Sequence, residues 1–196
     1  LIDSVALQTR IVKLLEEYII QFYPSSQHNF QSEFMSNTFI DREYIPTNEY
    51  IQDNKRQIVV VYVNPQSRKF AEDFYTYLRQ RPFFSAHLDV TEEYKQSINQ
   101  NDELLYISDC KVSDIRGKEV ILLHNLIENE NAVNESEETI RISAPNSICS
   151  ISLLCPHNIE SHADFVGFTI PIDRIVGYGL SWKGHFQQLY HISTIS

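Results

Sequence analysis

From Gln57 to Val63 the chain reads Gln-Ile-Val-Val-Val-Tyr-Val, a β-branched and aromatic run with no polar alternation. Alternation marks a strand with one wet face. Its absence predicts a strand covered on both faces, which in globular domains means a largely parallel sheet flanked by helices. Asn64-Pro65 supplies a turn, and Phe70, Phe74, Tyr77 and Leu78 then recur at the spacing of one helical face. Strand, turn and helix in that order predict an α/β fold.

The remaining elements follow by the same reading. Asp3 or Ser4 caps a first helix carrying Leu7, Ile11, Leu14, Leu15, Tyr18, Ile19 and Phe22, and Pro24 stops it. Residues 25–55 are polar with isolated aromatics (Phe30, Phe34, Phe39, Tyr44, Tyr50) and are expected to form an irregular connection that contacts something else. Further strands are expected at Phe84–Val90, Leu104–Ser108, Val120–Leu123 and Ile148–Leu154, with a polar loop from Thr91 to Asp102 and a turn at Asp114–Lys118. A helical stretch is expected before Ile142. The tail adds Phe165–Ile170, Ile175–Tyr178 and a segment from Trp182 to His191. With no internal repeat, a single domain over residues 1–196 is expected.

Composition narrows the function classes. With 42% hydrophobic and 21% charged residues, disorder is excluded. A net charge of −10 with scattered Lys and Arg disfavours nucleic acid. No apolar run approaches a membrane span, and Leu1-Ile2-Asp3-Ser4 does not read as a secretory leader. Cys110, Cys149 and Cys155 are too few for a disulfide framework and read as thiols in a reducing compartment. Cys155, His157 and His162 lack an evident fourth ligand for zinc, so no metal site is assigned. The five glycines (Gly117, Gly167, Gly177, Gly179, Gly184) form neither a dinucleotide fingerprint nor a Walker-type loop.

The tail Asp164-Phe-Val-Gly-Phe-Thr-Ile-Pro171, followed by Ile175-Val-Gly-Tyr-Gly-Leu180 and Phe186, resembles the C-terminal part of hypoxanthine-guanine phosphoribosyltransferases. Asp114-Ile-Arg-Gly-Lys-Glu-Val120 resembles the turn into that family's central strand. The resemblance covers most of the chain, more specifically after Asp114. It implies the type I phosphoribosyltransferase fold: a parallel core sheet flanked by helices, with a small hood from about residues 1–10 and 164–196. It also implies transfer of phosphoribose from its pyrophosphate to a purine, with magnesium, and a homodimer.

At the family's chemical positions this chain departs from the pattern. The family's donor-binding signature has two adjacent acids, two apolar residues and an Asp acting as base; here the acids are replaced by His124 and Asn125, read as surface residues at a strand end, and Glu128 stands at the base position as a vestigial, solvated acid. The phosphate loop reads Asn129-Glu130-Asn131-Ala132. Loops of that kind work by converging backbone N–H groups on an anion, and a carboxylate about 4 Å from a phosphate charge is opposed by ~4 kcal/mol at a dielectric near 20. The pyrophosphate loop corresponds to Asn64-Pro65-Gln66, without the lysine or the permissive glycine. Relative to the family, Leu153 replaces the lysine that contacts the base, Arg174 the aromatic that stacks on it, Ser181 a late aspartate that helps hold magnesium and Gln187 an arginine that reaches pyrophosphate, while Tyr94 matches the mobile-loop tyrosine.

These departures lead to an expected function. The chain is read as a catalytically inactive, phosphoribosyltransferase-like pseudoenzyme without cofactor, a structural or interaction subunit of a larger protein assembly. An organellar, mitochondrial energy-converting complex is the assembly suggested, with a cytoplasmic setting as the other location. Phe83, Phe84 and the aromatics of residues 25–55 are the expected partner contacts, and the acidic stretch Glu128–Glu138 a solvated face. The alternative is a divergent purine phosphoribosyltransferase of hypoxanthine/guanine salvage with relocated ligands. A third reading is a regulatory module that retains a small-molecule pocket.

Overall fold

The computed structural model describes residues 2–23, 58–81, 106–107, 115–171 and 174–195. The irregular connection, the Phe84–Val90 strand, the Thr91–Asp102 loop with Tyr94, Phe83 and Cys110 lie outside the described residues.

Helix α1 spans Ser4–Phe22, and Asp3 caps it, its carboxylate accepting from the Ala6 N–H at 2.8 Å. Leu7, Ile11, Leu14, Leu15, Tyr18 and Ile19 form its buried face. Strand β1 (Ile58–Tyr62) is buried at every position, as its unbroken apolar run requires. A 3-10 turn at Pro65–Ser67 leads into α2 (Arg68–Arg79), which buries Phe70, Ala71, Phe74 and Leu78. After β2 (Tyr106–Ile107) come β3 (Glu119–Leu126), α3 (Ala132–Arg141), β4 (Ser147–Pro156) and β5 (Phe165–Ile170).

The main sheet has the order β2-β1-β3-β4-β5. β1, β3, β4 and β5 pair in parallel, and β2 runs antiparallel to β1. Period-two alternation then sorts the side chains. Ile58, Val60, Tyr62, Ile121 and Leu123 join α1 and α2 in the large core, whereas Val59, Val61, Val120 and Leu122 face Ile140 of α3. The fold is therefore α/β with a parallel core sheet between helices, as expected.

The C-terminal segment, expected to build the hood, forms a second sheet from β6 (Ile175–Val176) and β7 (Ser193–Thr194). Ile2 pairs with Ile192 through reciprocal backbone bonds of 2.9 Å, so the start of α1 is tied to this segment. At the far side of the main sheet, Arg10 of α1 donates from Nε to the Gly167 carbonyl and from Nη2 to the Val166 carbonyl, both at 2.8 Å, and pairs with Glu17 at 2.6 Å.

Candidate active site

In a parallel α/β sheet the loops that leave the carboxyl ends of the strands converge, and ligands bind there. Three segments meet at that edge: the turn after β1, the end of β3 with its loop into α3, and the turn around Gly179.

The first is set by Asn64, which adopts φ 115° and whose Oδ1 accepts from the Ser67 N–H at 3.0 Å and the Ser67 hydroxyl at 3.2 Å. With ψ 159° Asn64 lies outside the left-handed helical region that Asn tolerates and in one that is essentially glycine's, held there by these two hydrogen bonds and followed by Pro65, which fixes the next φ. The permissive conformation for which the sequence offers no glycine is thus supplied by Asn64.

Strand β3 continues three residues past the expected end at Leu123, to Leu126, because Ile127 anchors the chain inside a small cluster with Val133 and Cys155. His124 and Asn125 are therefore buried, at 3% and 1% exposure, not on the surface as the sequence reading held. The two side chains leave opposite faces of the strand. His124 goes toward α3, where burial lowers its pKa to about 4 against a smaller opposing effect of Glu137, and its Nε2 has no hydrogen-bond partner among the described residues. Asn125 goes the other way. Its Nδ2 donates to the Gln66 carbonyl at 3.0 Å and to the Tyr178 carbonyl at 2.7 Å, and its backbone N–H donates to Ser67 Oγ at 2.9 Å.

The third segment is held from below. Tyr178 is almost fully buried and its hydroxyl donates to Asp73 of α2 at 2.6 Å. Burial and then the Asp73 carboxylate push its pKa well above the ordinary tyrosine range. Asp73 also accepts from Gln8 of α1 at 2.9 Å and from Lys69 at 2.7 Å. Sequence reasoning passed over Tyr178 and Asp73. The only hint was the Gly-Tyr-Gly triplet, which places a large side chain between two residues free to take positive φ.

Glu128, Asn129, Glu130 and Asn131 are exposed in the loop between β3 and α3, with Ala132 opening the helix. The Asn131 N–H is taken by the Asn129 side chain at 2.9 Å. Arg174 precedes β6 in the C-terminal segment, its guanidinium 4.8 Å from the Trp182 ring centroid. Leu153 is buried in the core sheet, where it can contact nothing at the rim. Cys155 is buried too, while His157 and His162 are exposed.

Magnesium, which the fold family implies, takes oxygen ligands, as a rule one or two carboxylates with water and phosphate oxygens. Here the strand end offers an amide and an imidazole. Among the described residues no group of three His, Cys, Asp or Glu side chains is placed to hold a metal. The donor set does not fit a protein-held magnesium.

A hypoxanthine-guanine phosphoribosyltransferase from Bacillus anthracis matches 100% of this chain and 96% of its own at TM-score 0.64 and 20% identity. A Trypanosoma cruzi hypoxanthine phosphoribosyltransferase, solved as a K68R mutant with the product IMP, matches 100% of this chain and 88% of its own at TM-score 0.66 and 16% identity. The fold is the type I phosphoribosyltransferase fold. In sequence, the chain is similar to the hypoxanthine phosphoribosyltransferase of Salmonella typhimurium, 28% identical over 85 residues, covering 42% of this chain and 48% of the relative. It is also similar to the hypoxanthine-guanine phosphoribosyltransferase of Rattus norvegicus, 31% identical over 88 residues, covering 43% and 40%. The matches thus span about half the length of these curated relatives or less. No protein-family model matches the chain.

These relatives correct the functional expectation. They are named as enzymes, and the reading of an inactive structural subunit in a mitochondrial assembly does not stand against them. The physical error lay in equating each departure from the family pattern with lost chemistry. Glu130 is exposed, so its carboxylate is free to turn into solvent rather than being held against a bound phosphate.

Proposed function

We propose that this chain is a divergent purine phosphoribosyltransferase of the hypoxanthine/guanine salvage class, with different side chains at several of the family's ligand-contact positions. The observation that carries the reading is that its sequence relatives and its full-length structural neighbours bear the same enzyme name. The reaction forms a bond between a purine nitrogen and ribose C1, releases pyrophosphate and frees the proton of that nitrogen. Glu128, exposed just beyond the carboxyl end of β3, is the carboxylate assigned to take the proton. The loop Asn129–Ala132, leading into the N-terminus of α3, is assigned to the 5'-phosphate, which on binding would displace the Asn129 side chain from the Asn131 N–H. Arg174, backed by Trp182, is assigned to the base, since guanidinium planes stack on nucleobases. No step is routed through a protein-bound metal.

Among the described residues no helix is long and apolar enough to cross a membrane. Cys149 and Cys155 are free thiols, which suits a reducing, cytoplasmic setting.

The test is nucleotide formation by the purified full chain from phosphoribosyl pyrophosphate and hypoxanthine or guanine, with magnesium in solution. Product should form, and Glu128→Gln should lower kcat by about 100-fold or more, within the usual range for a general base. A folded protein that makes no nucleotide with either purine would overturn the proposal.

A further inference from the structure

The geometry points to Asn125 as a positioning residue, a clasp that holds the turn after β1 and the Gly179 turn together before any ligand arrives. One amide nitrogen bridges two carbonyls, Gln66 at 3.0 Å and Tyr178 at 2.7 Å, that belong to segments more than 100 residues apart in the chain. The Asn125 N–H, through Ser67 Oγ at 2.9 Å, fixes the same turn a second time. Only a side chain with two donors on one atom can make this bridge at such a length. An aspartate of the same shape would set a negatively charged oxygen against two carbonyl oxygens. Gly179 shows how close the contact is: a Cβ there would lie 2.1 Å from the Gln66 carbonyl oxygen. The two turns touch through backbone, and the Tyr178 hydroxyl on Asp73 anchors the joint to α2.

The clasp deepens the proposed function, because the turns it joins border the same strand ends; one of its two readouts rests on that reading and the other does not. The first readout is amide hydrogen exchange of the full chain. Asn125→Asp should speed exchange in residues 64–68 and 177–180 by at least tenfold while the amides of α3 keep their parent rates. Asn125→Ser, a smaller neutral change, should give the same pattern if the aspartate variant does not fold, and Gly179→Ala should reproduce it from the other side of the joint. Unchanged exchange in both turns, or an equal rise across the whole sheet, would overturn the inference. The second readout is steady-state kinetics: Asn125→Ser should raise KM for phosphoribosyl pyrophosphate about tenfold and leave kcat within about twofold, as loss of a preformed binding geometry requires. A fall in kcat at constant KM would also overturn it. If the parent makes no nucleotide, the salvage reading fails while hydrogen exchange still decides the clasp.

Discussion

At the residue scale, His124 is the side chain whose environment departs furthest from its sequence context. It is buried on the α3 face of β3, and burial lowers its pKa to about 4. A histidine that holds its proton more weakly when folded makes the unfolded chain the better proton acceptor. Its contribution to stability is therefore complete above the ordinary value near 6.5 and is lost as pH falls from there toward about 4. Replacing it by a non-titrating residue should remove that slope. Between pH 7 and pH 5, the stability lost by the parent should exceed that lost by His124→Gln by about 2 kcal/mol, measured by urea unfolding. Equal losses would show that His124 stays solvated. That His124 and Asn125 are interior was not legible in the sequence, because polar residues after an apolar run signal a strand end. What carries the chain inward is Ile127, whose role depends on Val133 and Cys155 arriving from other elements.

At the element scale, the helices and parallel strands were readable because their patterns are local. The 19-residue α1 shows its buried face at i, i+4, i+7 and i+8, and its cap lies immediately before it. Asp3→Ala should cost about 1 kcal/mol, the usual loss when a capping carboxylate is removed, seen as a lower urea midpoint with an unchanged denaturant slope. The site was less readable for the opposite reason. The positive φ of the turn after β1 falls on Asn64, so the absence of a glycine there does not mean the absence of the conformation. Similarly, the penalty for Glu130 supposes a carboxylate held beside the phosphate, whereas the exposed side chain is free to turn into solvent.

At the scale of the whole molecule, the C-terminal segment is joined to both helices of the large core through one carboxylate. Asp73 accepts from Tyr178, Gln8 and Lys69, and Tyr77 in turn donates to Gln8 at 2.6 Å. Removing the Tyr178 hydroxyl keeps the packing of a buried ring and deletes one charge-assisted bond. Tyr178→Phe should destabilise by about 1.5–3 kcal/mol, and the loss should shrink in an Asp73→Asn background if the bond is its source. Equal losses in the two backgrounds would assign the effect to packing. None of this coupling was visible in the sequence, since the partners lie 105 residues apart.

The grip of Arg10 on β5 has a bearing on self-association. Among the described residues β5 ends the main sheet, and the outermost strand of any sheet is where a foreign strand adds by backbone pairing. The carbonyls of Val166 and Gly167 already accept from a guanidinium fixed by Glu17, so part of this strand's backbone is engaged by a charged, two-point contact from α1. The first helix thus ties down the outermost parallel strand as well as covering the core.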